Sequence, residues 1–234
     1  MGETTGPEVV VYGSGDDEEL LLSAEAVRVL GVLIEKQITT PDYYPLTLNA
    51  LVNGCNQTTS RDPIVQYDET TISRALQHLR EKKLAFAYSG ADSRVVKYGH
   101  KLPERLELGI AETAVLCILM LRGPQTAGEI RNRSGRLHEF ATIAEVESAL
   151  EVLISRTPHP LAARLPRQLG LKETRIAHLL SGAAAAQTAS ISPETVPAVG
   201  AVNRVEQLEA DIAQLRTELA ELRQQFATFK KQFE

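Results

Sequence analysis

Apolar residues recur at helical spacing in the first third of the chain, and the residues between those stripes are ones that start or stop helices. Ser23 is a candidate N-cap, with Leu22 placed to staple against Val27, and Val27, Leu30 and Ile34 carry one stripe to about Lys36. After the turn Thr40-Pro41-Asp42, Pro45 suits a first helical position, so 46–52 predicts a short second helix that Gly54 can end. Asp68 heads a third helix, whose buried stripe is Ile72, Ala75, Leu76 and Leu79. Directly behind it, 84–89 and 94–98 are rich in strand formers and are joined by Gly90-Ala91-Asp92, a turn composition. A helix feeding a hairpin in this way predicts a winged helix.

The pattern then repeats. Val29, Leu30, Val32 and Leu33 recur as Val115, Leu116, Ile118 and Leu119 at an offset of 86, and Ile72, Ala75, Leu76 and Leu79 recur as Val146, Ala149, Leu150 and Leu153 at 74. The shortfall of 12 places extra length in the first copy, where the polar loop NGCNQTTSRDP (53–63) lies. In the second copy Gly123-Pro124 breaks a helix, while Thr126 with Glu129 and Thr142 with Glu145 have capping-box spacing. A second hairpin is expected from 161–165 and 173–179, around Pro166 and Gly170.

Residues 183–201 are rich in Ala, Pro and Ser and read as a flexible linker, with an r.m.s. span of roughly 25 Å. Beyond it, spacings of three and four alternate through Val205, Leu208, Ile212, Leu215, Leu219, Leu222, Phe226 and Phe229, the seam of a coiled coil. In a parallel pair, Arg204 would face Glu209, Asp211 would face Arg216, Glu218 would face Arg223 and Gln225 would face Lys230. An antiparallel pair would bring Arg216, Arg223 and Lys230 together. The tail therefore predicts a parallel homodimer.

By this point the run LGVLIEKQITTPDYYPLTLNALVNGCNQTTSRDP (30–63), the segment LPRQLGLKETRIAHLLSG (165–182) and the heptad tail resemble the YceH-like family, bacterial proteins with a domain of unknown function. The resemblance implies a tandem winged-helix architecture in a cytoplasmic protein and carries no biochemical activity with it. The expected fold is mainly α with small β-hairpins. An acidic, disordered tail (1–20) precedes a first winged helix (21–108) and a second (109–182), followed by the linker (183–201) and a coiled-coil helix (202–234).

Composition excludes more than it selects. The 234 residues are 43% hydrophobic and 24% charged, as in ordinary globular domains, and no apolar run approaches the roughly 18 residues of a membrane span. Without a leader pattern the expectation is a cytoplasmic protein, with Cys55 and Cys117 reduced. The net charge of −5 argues against nucleic acid until it is divided along the chain. Residues 1–19 hold six acids and no base, whereas 20–108 and 109–181 are net +1 and +2. The globular part is mildly basic.

Candidate chemistry lies on the third helix. Opposite its buried stripe stand Thr70, Arg74, Gln77 and Glu81, flanked by Ser73 and His78. Arg74 can pair with guanine and Gln77 with adenine in a major groove, while Arg94, Lys97 and Lys101 on the hairpin can meet phosphates. Glu81 opposes this by repelling phosphate. In the loop, Arg61 can reach a phosphate beside Asn56, Gln57 and Thr58, or it can pair with an acid while the amides close the turn. In the second copy Ala144, Ser148, Glu151 and Ser155 replace the polar face, with Glu145 and Glu147 beside them. That helix is expected not to read DNA, and to pack on the other half or on a partner; the basic residues of its hairpin, Arg164, Arg167, Lys172 and Arg175, leave a backbone contact open. No P-loop, paired-His metal motif, Gly-rich dinucleotide turn or GxSxG elbow is present, and the five histidines are scattered, so neither catalysis, metal nor cofactor is expected. The expected partners are double-stranded DNA, a second copy through the coil, or another protein, with no membrane.

Overall fold

Ser23 caps α1 (Ala24–Thr39) as its spacing predicts: its Oγ accepts from the Ala26 amide at 3.2 Å. The computed structural model describes residues 20–89, 95–167 and 173–182. The acidic tail, the 90–94 turn with Arg94, Lys172, the 183–201 stretch and the heptad seam lie outside them. Burial on α1 is wider than the predicted stripe, because Val29, Val32 and Leu33 are inside along with Val27, Leu30 and Ile34. The helix is covered on both sides, by α2 (Leu48–Cys55) and α3 (Glu69–Glu81) on one and by α5 (Ile110–Arg122) on the other.

The second helix starts later than Pro45 suggests. Leu46–Thr47 is a short strand, β1, and Thr47 is the N-cap, its hydroxyl accepting from the Ala50 amide at 3.3 Å. Nor does Gly54 end α2; it lies in the last turn, and Asn56 is the C-cap. β1 joins the predicted hairpin, β2 (Ala85–Tyr88) and β3 (Lys97–His100), in an antiparallel sheet of order β1-β3-β2. Leu46 pairs with Tyr98, and Ala85 with His100. A five-residue helix, α4 (Leu102–Leu106), leads out of the sheet to α5.

The order recurs in the second half as α5, α6 (Ala127–Ser134), α7 (Ile143–Ser155) and a hairpin of β4 (Ala162–Arg164) with β5 (Ile176–His178). Even the third strand has a counterpart, since Gln125, just before α6, exchanges backbone bonds with Ile176. The molecule is thus mainly helical with small antiparallel sheets. Thr126 and Glu129 form a full capping box on α6. On α7 the Thr142 hydroxyl accepts from the Glu145 amide, but the Glu145 carboxylate reaches one residue further back, to the Ala141 amide at 3.0 Å.

One hydrophobic cluster runs through both halves, from Leu22 to Leu180. Leu30 and Leu33 of α1 and Leu116 and Leu119 of α5 are fully buried in it, each contributing about 1.5–3 kcal/mol of transfer free energy. The Cys117 thiol donates to the Gly31 carbonyl at 3.4 Å. These two residues are 86 apart, the offset of the repeat, so the first helices of the two copies meet at equivalent positions. A Cβ on Gly31 would lie 2.8 Å from Leu121 Cδ2, so only glycine permits this approach. The chain ends of the unit are tied together by the Leu22 amide, which donates to the Leu180 carbonyl at 2.7 Å.

Candidate nucleic-acid interface

The N-cap of α3 is Asp68, whose Oδ1 accepts from the Thr71 amide at 2.7 Å. Bonds from Thr71 hold its carboxyl below the usual carboxylate range, and the nearby charge of Arg74 adds to them. Ile72, Ala75, Leu76 and Leu79 anchor the helix in the core, and this leaves Thr70, Ser73, Arg74 and Gln77 exposed, with His78 half-buried at the edge. A groove of about 540 Å³ separates the helix from β3 and is lined by Ser73, Leu76, Gln77, Arg80, Glu81 and Tyr98. The Gln77 amide donates to Glu81 Oε1 at 3.0 Å, so the acid takes up one donor of the amide and faces the same groove.

On the hairpin, Lys97 is half-buried opposite Thr47 and Tyr88, and the exposed Lys101 rests its ammonium 5.7 Å from the centre of the Phe86 ring. Two lining residues, Arg80 and Tyr98, belong to neither the predicted polar face nor the buried stripe. Arg80 sits about 80° round the helix from Ile72, a boundary position that a two-faced reading assigns to neither side. Tyr98 alternates with the strand's other residues, and only its pairing with Leu46 reveals which way that strand faces.

Arg61 does not belong to the interface. Its side chain is fully buried and forks onto Glu35, with Nη1 to Oε1 at 3.0 Å and Nη2 to Oε2 at 2.6 Å. It also donates to the carbonyls of Gly54 and Ser60 and to Gln57 Oε1. No phosphate can approach it. Burial alone would raise the Glu35 carboxyl, but the Arg61 bonds and charge, with a smaller share from Lys36, bring it below the ordinary 4.5. Asn56 is structural as well: it exchanges two 2.8 Å bonds with the Tyr67 backbone and so closes the loop before α3.

The second half presents a different face. Ala144, Ser148, Glu151 and Ser155 are exposed on α7, so the first half does not cover them. Arg164 pairs with Glu147 at 2.6 Å and approaches Glu151 at 3.9 Å. Arg175 pairs with Glu129 at 3.2 Å and donates to the Pro124 carbonyl. Two bases of the second hairpin are therefore neutralised from within. Cys55 and Cys117 are free and buried, and burial pushes the Cys55 thiol up to about 12. Among the described residues no three His, Cys, Asp or Glu side chains gather to hold a metal, and no helix is long and apolar enough to cross a membrane.

These features define a mainly helical protein of two helix-and-hairpin halves; in the first, α3 carries an open polar face with Arg74, whereas its counterpart α7 in the second has no Lys or Arg. Residues 22–171 match a family model described as "Protein of unknown function, DUF480". A UPF0502 protein of Opitutus terrae is 59% identical over 213 residues, covering 91% of each chain, and one of a Janthinobacterium species is 49% identical over 198, covering 85% of each. Another, of Citrifermentans bemidjiense, is 53% identical over 164 residues, 70% of this chain and 75% of that protein. The chain belongs to this family of bacterial UPF0502 proteins, the one that the motifs of its sequence resemble.

Proposed function

We propose that this protein is a dimeric, non-enzymatic DNA-binding protein of tandem winged helices, acting as a transcriptional regulator, with the first half as reader. The observation that carries the reading is the state of the α3 surface. Arg74 and Gln77 are exposed beside a groove and a hairpin bearing Lys97 and Lys101, while the matching bases of the second half are spent on its own acids. In this arrangement α3 enters the major groove, Arg74 and Gln77 read base edges, and the hairpin lysines meet the backbone. The heptad tail pairs two copies in parallel, and the linker lets two readers adjust their separation.

Mobility shift on a random duplex across a salt series tests this. Binding should weaken steeply with salt, and Arg74→Ala should cost sequence preference more than Lys97→Ala does, because a phosphate contact weakens binding to all sequences alike.

A second reading, a scaffold that binds protein, draws on one observation. Tyr88, Val95 and Val96 on the first hairpin are 52%, 55% and 41% exposed, an apolar wing where phosphate contact calls for cations. Absence of any shift at low salt, with the dimer intact, would favour it.

A further inference from the structure

A cleft of about 430 Å³ opens at the seam of the two halves, within the range of small-ligand sites. Its walls are largely apolar: Val27 from α1, Leu119 and Met120 from α5, and Pro124 beyond it. Two polar residues with unused hydrogen-bonding capacity are among its lining.

The first is Arg28, on α1 and almost wholly buried. Its guanidinium donates to the Cys55 carbonyl at 3.4 Å and the Pro63 carbonyl at 2.6 Å, two of its five N–H groups. No carboxylate among the described residues lies within ion-pair distance of it; the acid of the lining, Asp62, acts on it only from further away. A buried cation without a counter-charge is costly unless something supplies one. The second group is His178, on β5, whose Nδ1 is buried with no hydrogen-bond partner among the described residues. Burial lowers its pKa to about 4, so near neutrality the ring is uncharged and Nδ1 can carry a proton to donate.

We propose that this cleft binds a small organic monocarboxylate with an apolar body. Arg28 supplies the charge and His178 Nδ1–H a further donor to the carboxylate, while the body lies against α1 and α5. Ligands of one negative charge are selected, since Asp62 at the rim repels a second. Because residues of both halves line the cleft, an occupant bridges them. The proposal is independent of whether the chain binds DNA.

Titration of the full chain with carboxyl-labelled octanoate, followed by carbon NMR, reads the contact directly. A single saturable shift of the carboxylate resonance is expected, with 1-octanol at least tenfold weaker because it lacks the charge. Ala24→Phe, at an exposed lining position, should abolish binding without disturbing Arg28. His178→Phe keeps the ring volume and should weaken octanoate about tenfold. Failure of octanoate to bind, equal binding of octanoate and octanol, or unchanged titrations in both variants would each overturn the proposal.

Discussion

Arg61→Met tests whether the loop arginine is a brace. The wild-type guanidinium forks onto Glu35 and holds the Gly54 and Ser60 carbonyls and the Gln57 side chain. Methionine refills much of the volume but satisfies none of these groups and leaves the mostly buried Glu35 carboxylate, among the described residues, with Lys36 at 3.6 Å as its remaining ion pair. Breaking a buried pair from one side costs about 3–5 kcal/mol. At roughly 2–4 °C per kcal/mol for a unit of this size, the melting temperature should fall by about 6–20 °C. Urea unfolding followed by helical circular dichroism should show a lower midpoint at unchanged slope. Replacing both partners, Glu35→Met with Arg61→Met, should restore at least half of the loss, since no charge then remains unpaired. Glu35 titrates below its ordinary 4.5 in the folded protein, so the pair contributes fully above that value and its contribution drains away as pH falls through the lowered folded pKa. Arg61→Met should therefore flatten part of the acid dependence of stability. A variant that keeps stability within about 1 kcal/mol of wild type while losing duplex binding would refute the brace and restore the loop as a phosphate contact.

Three other outcomes follow from the same contacts. Glu81→Gln should raise affinity for random duplex roughly two- to fivefold in fluorescence anisotropy, by removing a like charge from the groove while keeping an acceptor for Gln77; lower affinity would contradict the placement of DNA there. Gly31→Ala should destabilise by about 1–3 kcal/mol despite alanine's better helix propensity, because its methyl would meet Leu121 at 2.8 Å; a more stable variant in urea would mean that the seam yields. Both thiols should resist an aromatic disulfide reagent in the native protein and react once it is unfolded, and labelling of native protein within minutes would contradict their burial.

Local signals carried much of the fold. Caps at Ser23, Asp68, Thr126 and Thr142 each depend on residues three or four positions away, so the sequence displays them in full. β1 escaped because two residues make a strand only by pairing with Lys97 and Tyr98, some fifty positions on, and Pro45 drew attention from Thr47, a sound N-cap. Helix α4 was missed for its brevity, although Pro103 near its start was a usable signal. The two candidate roles of Arg61 could not be separated along the chain, since its partner Glu35 stands 26 residues earlier on a different element. Exposure of the α3 face followed from its stripe, but the Gln77 to Glu81 bond and the ion pairs of Arg164 and Arg175 needed side-chain positions.

The crossing of α1 over α5 has a consequence for how the two halves live together. Subunits that meet across an axis part on dilution, whereas here both sides of the contact are one covalent chain, and no fall in protein concentration loosens it. Releasing the half with the open polar face as a separate module would bare to water the side of α1 around Gly31, which now packs on Met120 and Leu121. Its companion serves as permanent ballast, steadying a surface it does not itself display.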